Sequence, residues 1–293
     1  PSGGTGTYVV HDWTGAGSGN LDDPAIQTPD FTGAGTGTFA LTYTVTDDYG
    51  CSGTDNITVT VHPQPDVDPL SDQTVCDSYT LPAITGTNLS GNEAYYTGPG
   101  GTGTQLNPGN TITTAGANTI YIYDETGTTP NCFDEESFVV TVNLTPNITN
   151  PGNQTACDSY TLPAIAGTNL TGGESYYTGP GGTGTALNPG DAITTPGANT
   201  LYIYDETGTA PNCSDDVSFT VTINVTPTVD NPGDQTACDT YTLPAITGTN
   251  LTGNEAYFTG TGGTGTQLNP GDAITTAGVN TLYVYGETGT TPN

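Results

Sequence analysis

The sequence contains no lysine and no arginine, and its 30 aspartates and glutamates give it a formal net charge of -30 over 293 residues. A chain without cationic side chains cannot neutralise a phosphate backbone or bind an anionic membrane surface, which excludes nucleic acid as a partner. A lysine Schiff base, an arginine finger and a P-loop lysine are excluded for the same reason. Charged residues make up only 10% of the chain, so the imbalance reflects missing bases and not an excess of acids.

Long apolar runs are missing as well. No stretch of about 18 apolar residues occurs, so the sequence predicts no membrane-spanning helix and no direct membrane insertion. No segment shows the periodicity of an amphipathic helix. Glycine, with 42 residues, and proline, with 22, are abundant instead, which is typical of turn-rich β structure.

An internal repeat organises the sequence. The segment 76–84 returns at 157–165 and again at 238–246, with a period of 81 residues. A unit of this length is the size of a small autonomous domain. Short proline-containing segments at 63–65, 145–147 and 226–228 mark the boundaries, and such linkers are stiff and extended. The predicted domains are the C-terminal part of a diverged Ig-like domain (1–63), two complete Ig-like repeats (64–145 and 146–226) and a repeat truncated at its C-terminal end (227–293).

Alternation of apolar and polar residues predicts the fold. Phe138, Val140, Val142 and Leu144 share one face of a strand, and the next repeat keeps this pattern at 219–225. Six or seven short strands, separated by turn signals every 8–12 residues or so, are typical of an immunoglobulin-like sandwich. We therefore predict an all-β chain of tandem immunoglobulin-like β-sandwich domains, arranged as beads on a semi-rigid rod. A small Greek-key barrel is the alternative.

The six cysteines have no metal-type spacing and indicate disulfides in an oxidising compartment. One scheme stays within the repeats and leaves Cys51 and Cys238 to partners outside the fragment; it joins Cys76 to Cys132 and Cys157 to Cys213. The other scheme joins neighbouring domains: Cys51 to Cys76, Cys132 to Cys157 and Cys213 to Cys238. We favour the first, because the last strand of a repeat carries the chain roughly 26 Å away from Cys132 before the linker begins.

Acidic residues next to two of the linkers suggest a cation site. Carboxylate oxygens at domain junctions suit calcium, and a bound ion would stiffen the joint. The candidate ligands are Asp66, Asp68, Asp72, Asp230 and Asp234. The middle junction carries asparagines in their place, and no EF-hand motif is present. Calcium is therefore the one cofactor that the sequence suggests.

Tyrosines recur in each repeat and offer a possible ligand surface. Tyr95 and Tyr96, with Tyr176 and Tyr177 in the next repeat, could stack on sugars, whereas the alternative is packing between strands. The only two histidines, His11 and His62, lie outside the complete repeats. No catalytic triad arrangement recurs, so we expect no enzyme activity.

The amino-acid sequences of the repeats resemble those of a known protein family. The segment 41–51 with 54–61, and the recurring Cys-Asp-Ser-Tyr-Thr-Leu-Pro with Pro-Asn-Cys, resemble the tandem Ig-like and PKD-like repeats of giant SprB-like surface adhesins of gliding bacteria. The resemblance covers the whole chain. It implies export by the type IX system, an extracellular location at the cell surface and a role in adhesion or gliding motility.

These observations predict a structural stalk segment of a large extracellular adhesin or surface filament, which projects a distal adhesive region. One alternative is a repeat module that binds carbohydrate or matrix polymer by avidity. Another is a subunit of a self-assembling extracellular fibre. The expected partners are neighbouring repeats of the same chain, and surface glycans or other filament copies under the two alternatives.

Overall fold

The computed structural model describes residues 6–291, and the chain divides into two compact units, Pro1–Val142 and Asn143–Asn293. Regular structure in the described part is β except for one short 3-10 turn at Ser18–Asn20. Within residues 6–291, the structure contains no helix with the length and apolar character needed to cross a bilayer.

Twelve strands begin in the first unit, and the last of them ends at Asn143, the first residue of the second unit. In chain order they are β1 (Tyr8–Thr14), β2 (Gly37–Asp47), β3 (Ser52–Val61), β4 (Asp66–Val67), β5 (Gln73–Cys76), β6 (Tyr79–Thr80), β7 (Gly86–Thr87), β8 (Ala94–Gly98), β9 (Thr102–Leu106), β10 (Thr111–Ile112), β11 (Gly116–Glu125) and β12 (Phe133–Asn143). Strands β1 to β3 make a three-stranded antiparallel sheet in that order. The remaining strands form a five-stranded sheet, β5-β12-β11-β8-β9, and two short ladders, β4 with β7 and β6 with β10.

The core of the segment 64–142 lies between the five-stranded sheet and the two short ladders. Alternate residues of β11 and β12 point inward, including Ile120 and Ile122 on β11 and Phe138 and Val140 on β12. The ladders and adjoining loops contribute the opposite wall of this core, with Val67, Leu81 and Ile112. Two β layers around one apolar core confirm the predicted β-sandwich.

The predicted inward face of the last strand is confirmed over most of its length. Phe138, Val140 and Val142 are all buried. Leu144, however, follows the end of β12 and is exposed, so its assignment to the same face was wrong. The strand ends one residue before Leu144, where the linker to the following segment begins, and the period-two pattern stops with it.

A tight hairpin joins β8 to β9. Gly100 and Gly101 occupy its centre with φ values of 65° and 67°. Two consecutive positive φ angles are the signature of a type I′ turn, whose twist matches that of the flanking strands. A Cβ added to Gly101 would lie 3.0 Å from the Tyr123 ring, so close packing also favours glycine here. The Gly-Gly-Thr-Gly-Thr motif therefore serves hairpin geometry.

The second unit repeats this architecture. Its strands are β13 (Asn147–Ile148), β14 (Gln154–Cys157), β15 (Tyr160–Thr161), β16 (Gly167–Thr168), β17 (Ser175–Gly179), β18 (Thr183–Leu187), β19 (Ala192–Ile193), β20 (Gly197–Glu206), β21 (Ser214–Asn224), β22 (Thr228–Val229), β23 (Tyr241–Thr242), β24 (Gly248–Thr249), β25 (Ala256–Phe258), β26 (Gln267–Leu268), β27 (Ala273–Ile274) and β28 (Tyr283–Tyr285). A five-stranded sheet, β14-β21-β20-β17-β18, is followed by a three-stranded one, β26-β25-β28.

One pairing in the second unit decides where the cysteines lie. Strand β14 runs parallel to β21, with Gln154 opposite Val221 and Cys157 opposite Asn224. The short strand that opens the repeat therefore points the same way as the long strand that closes it. Sequence periodicity did not predict β14, because four residues are too few for a periodic signal.

Candidate functional site

The parallel pairing separates the two cysteines of a repeat. Cys157 ends β14 beside Asn224, at the C-terminal end of β21, whereas Cys213 directly precedes Ser214, where β21 begins. At about 3.3 Å per residue the strand places them roughly 35 Å apart, while bonded cysteines need α-carbons within about 7 Å.

The disulfide scheme within repeats is therefore corrected. Cys157 and Cys213 cannot bond to each other at that separation, and Cys132, the expected partner of Cys76, is a free thiol. In the described part of the chain, Cys76 and Cys213 are disulfide-bonded, and Cys51 and Cys238 are exposed free thiols. The closing strand β12 separates Cys132 from Cys76 just as it separates Cys132 from Cys157, which the spacing of the cysteines in the sequence does not show.

A clamp closes the end of the repeat 146–226. Asp158, in the left-handed region at φ 60°, accepts hydrogen bonds from the backbone N–H of Thr226 at 2.8 Å and from its hydroxyl at 2.6 Å. These two hydrogen bonds hold the pKa of the Asp158 carboxyl below its usual value. The clamp fixes the chain two residues after β21 ends, so the linker begins in a defined direction.

The linkers are short because their residues join the following segment. Strand β13 pairs with β16, and Ile148 is buried. Strand β22 likewise pairs with β24. Only three residues separate Asn224 from Thr228, and Thr226 among them is held by Asp158.

The asparagines that end β12 and β21 contact the next repeat. Asn143 donates from Nδ2 to the Thr209 hydroxyl at 3.1 Å, and Asn224 donates to the Thr290 hydroxyl at 2.8 Å. Both pairs lie within the second unit and are related by the 81-residue period. The junction contact therefore recurs along the sequence.

A buried carboxylate organises a loop in each of the two complete repeats. Asp124 is fully buried, and it accepts hydrogen bonds from the Ser90 backbone N–H at 2.8 Å and from the Ser90 hydroxyl. Asp205 is buried in the same way and binds Thr171 with the same two bonds. A Ser or Thr at this loop position can thus satisfy the buried charge, which is why the exchange between repeats is tolerated.

Three of the aspartates proposed for calcium accept hydrogen bonds from residues of their own repeat. Asp72 accepts the Val139 backbone N–H at 2.8 Å, Asp66 binds the Thr87 hydroxyl at 3.3 Å, and Asp230 binds the Thr247 hydroxyl at 2.7 Å. Asp68 and Asp234 are exposed. Among residues 6–291, no three His, Cys, Asp or Glu side chains are grouped so that they could hold a metal ion. A calcium site at these aspartates stays a prediction.

Two of the four predicted sugar-binding tyrosines belong to the core. Tyr95 and Tyr176 are buried, and their hydroxyls donate to the carbonyls of Pro82 and Pro163 at 3.2 Å and 3.1 Å. Burial raises the pKa of Tyr95 to about 12, with a smaller contribution from Tyr79. These two rings cannot reach a ligand, because the same strand alternation that exposes their neighbours turns them inward.

Tyr96 lies at an outer cleft instead, and Tyr177 is half-buried at the equivalent position of the next repeat. Tyr96 packs edge-on against Tyr123, with ring centroids 6.1 Å apart, and Tyr177 packs against Tyr204 in the same way at 6.3 Å. The cleft beside Tyr96 has a volume of about 420 Å³ and is also lined by Glu93, Glu125 and several amide and glycine residues. Tyr123 is one of the tyrosines that recur in each repeat, but its position in the sequence does not indicate that Tyr123 and Glu125 line one cleft with Tyr96.

The acids of this cleft are held by the protein itself. Glu125 accepts hydrogen bonds from the Tyr123 hydroxyl at 2.9 Å and from the Asn131 side chain at 2.7 Å. In the next repeat, hydrogen bonds from Tyr204 and Asn212 lower the pKa of the equivalent Glu206. The cleft therefore has fixed carboxylates beside aromatic rings.

Comparison with known proteins yields only distant likenesses. No family model matches the chain, and no curated protein matches it. A solved fragment of titin, I67-I69, aligns with a TM-score of 0.40 at 10% identity and covers 73% of this chain and 87% of that chain. Human CDH23 EC21-23 aligns with a TM-score of 0.32 at 14% identity, covering 72% and 88%, and mouse Cadherin-23 EC22-24 with 0.27 at 12%, covering 77% and 89%.

The chain is a tandem array of β-sandwich repeats. That conclusion comes from its own sheets and cores, because similarities of this size indicate neither a ligand nor an activity.

Proposed function

We propose that residues 1–293 are a segment of the stalk of a large extracellular repetitive adhesin or surface filament, and that they project a distal adhesive region from the cell. The observation that carries this proposal is the construction of the repeat junction. Asp158 holds Thr226 directly after the closing strand, and Asn224 contacts Thr290 in the next repeat. A stalk needs joints of this kind, because free linkers let domains reorient independently.

The resemblance of the repeat sequences to those of type IX-secreted adhesins of gliding bacteria supports the location at a cell surface and a role in gliding. The cysteine chemistry agrees with an oxidising compartment. The absence of any trypsin cleavage site suits a protein exposed to extracellular proteases, since the sequence contains no lysine or arginine.

The test compares the natural chain with a variant that has five additional residues, all glycine or serine, inserted between Val225 and Thr226. Small-angle scattering should show that the insertion broadens the distribution of interatomic distances. The same insertion after Gly35, in an exposed loop, serves as the matched control and should leave the distribution unchanged. If the distance distribution of the natural chain is as broad as that of the variant with the insertion after Val225, the stalk function is contradicted.

A second candidate function is the binding of a neutral glycan in the Tyr96 cleft. Aromatic rings beside carboxylate and amide groups can line a sugar site, and the ring pair recurs as Phe258 with Tyr285, 5.9 Å apart. Repetition of weak sites would give avidity along the array. Glycan-array binding by the full chain, weakened in Tyr96→Ala and unchanged in a Tyr49→Ala control at an exposed ring, would favour this function.

A further inference from the structure

A second cleft of the repeat 64–145 lies on the inner face of the β8–β9 hairpin. The sandwich is open there between β9, an edge strand of the five-stranded sheet, and β10, which belongs to the opposite layer. The volume of this cleft is about 410 Å³, which is within the range of small-ligand sites. We call it the threonine groove, because it is lined by Thr97, Thr104, Thr111, Thr113, Thr114 and Thr119.

The hairpin separates the threonine groove from the Tyr96 cleft. Tyr96 and Gln105 are opposite each other in the register of β8 and β9, and both line the Tyr96 cleft. Their neighbours in the sequence, Thr97 and Thr104, line the threonine groove, because successive residues of a strand point to opposite faces. The two clefts are therefore different sites on one repeat.

Hydrogen bonds within the repeat fix both walls of the groove. On the hairpin side, the Thr97 hydroxyl accepts the Thr104 backbone N–H at 2.8 Å. On the other side, Nδ2 of Asn118 donates to the backbone carbonyls of Thr114 at 2.8 Å and Gly116 at 3.0 Å, which holds the loop between β10 and β11. A ligand would therefore not have to order either wall.

The lining offers hydroxyl groups but no charge. Thr104, Thr113 and Thr114 are exposed, and within residues 6–291 their hydroxyls bond to no other protein group. A hydroxyl both donates and accepts, so it can pair with a hydroxyl of a ligand. Leu106 and Ile112 supply apolar surface beside them. None of the described residues that line the groove is acidic, although the chain contains 30 acids.

The lining recurs along the sequence. Thr113 returns as Thr194 and as Thr275 with the 81-residue period. The hydrogen bond across the hairpin returns in both later repeats, at 2.9 Å and 2.8 Å. The bond that holds the loop returns from Asn199 and Asn280, at 2.8 Å in both cases. Repetition of a weak site along one chain strengthens binding to a polymer by avidity.

We propose that the threonine groove binds a neutral oligosaccharide. The hydroxyls of the sugar pair with the threonine hydroxyls, and its C–H groups lie against Leu106 and Ile112. An anionic ligand is disfavoured because the chain has no lysine or arginine, and an ammonium group finds no carboxylate in the groove. This binding goes beyond the stalk function and depends neither on it nor on the Tyr96 cleft.

The test measures binding of the full 293-residue chain to an array of neutral hexose oligosaccharides, with sialylated, sulfated and amino-sugar oligosaccharides on the same array. The test variant carries Thr113→Val, Thr194→Val and Thr275→Val, which remove one hydroxyl per repeat with little change in shape. Loss of one neutral hydrogen bond per site should weaken binding to the neutral oligosaccharides by roughly three- to tenfold.

The matched control carries Thr74→Val, Thr155→Val and Thr236→Val. These exposed positions are also related by the repeat, and the first two lie in β5 and β14, at the other edge of their five-stranded sheets. The control should bind like the natural chain. Serine at position 113 and its two equivalents keeps the hydroxyl and should also retain binding.

Circular dichroism establishes that each variant is folded. If the Thr113 set does not fold, Thr104→Val with Thr185→Val and Thr266→Val carries the same expectation. Absence of binding to any neutral oligosaccharide would overturn the proposal, as would equal weakening in the control, or weakening by Tyr96→Ala with none by the groove variants. Self-association of the natural chain that the groove variants abolish in analytical ultracentrifugation would show that a second copy occupies the groove, and would overturn it too.

Discussion

Replacing Asp124 with asparagine should destabilise one repeat and leave its near-copy intact. Asp124 is fully buried and accepts two hydrogen bonds from Ser90. Asparagine has the same size but only one acceptor oxygen, so its amide group would face a donor. Hydrogen bonds to charged groups contribute about 1.5–3 kcal/mol each, and we expect a loss of about 2–3 kcal/mol.

Hydrogen exchange measures this loss within a single molecule. A destabilisation of about 2–3 kcal/mol corresponds to roughly 30- to 150-fold faster exchange of amides that open only when the repeat unfolds. Peptic peptides from β11 and β12 should show this acceleration. The equivalent peptides from β20 and β21, whose Asp205 is unchanged, serve as the internal reference.

The control substitution is Asp68→Asn, which removes the same charge from an exposed position of the same repeat. It should leave both sets of amides unchanged. Acceleration below about threefold in β11 and β12, or equal acceleration in both repeats, would refute the argument that the Asp124–Ser90 bonds stabilise one repeat.

Three further predictions concern single groups. The pKa of Tyr95 is raised to about 12, so the stability that its neutral form contributes is complete below about pH 10 and is lost as the pH rises towards 12. Unfolding measured at alkaline pH should show this loss of stability, and Tyr95→Phe should remove the pH dependence. The pKa of Asp158 is lowered, so its hold on Thr226 is complete above the usual carboxyl range and is lost as the pH falls through the lowered pKa, which exchange of the Thr226 amide should report. Gly101→Ala should destabilise its hairpin by about 1 kcal/mol or more in denaturant unfolding, because its φ is positive and Tyr123 is close.

The sequence predicted the sandwich well because its long strands carry strong period-two patterns. Phe138, Val140 and Val142 all face the core, as their spacing indicated. The short strands β5 and β14 carry no such signal, and the cysteine pairing depended on them. The sequence showed which residues of a long strand face the core, but it did not show whether the neighbouring short strand runs parallel or antiparallel to it.

The candidate ligand-binding residues were also predicted only in part from the sequence. Strand alternation alone implies that Tyr95 and Tyr96 point to opposite faces, yet only the packing of Phe138 against Tyr95 shows which one is buried. Tyr123 and Glu125 are on a different strand from Tyr96, so no local motif could have grouped them. Antiparallel pairing of β11 with β8 brings them together.

The parallel pairing of β14 with β21 also determines how a repeat would respond to tension. Tension on residues 154 and 224 would draw the two strands along their length in opposite directions. The hydrogen bonds between them would then be loaded in shear and would have to break together, whereas an antiparallel hairpin pulled from its open end unzips one bond at a time. Four residues of β14 would thus set the unfolding force of a domain about twenty times longer.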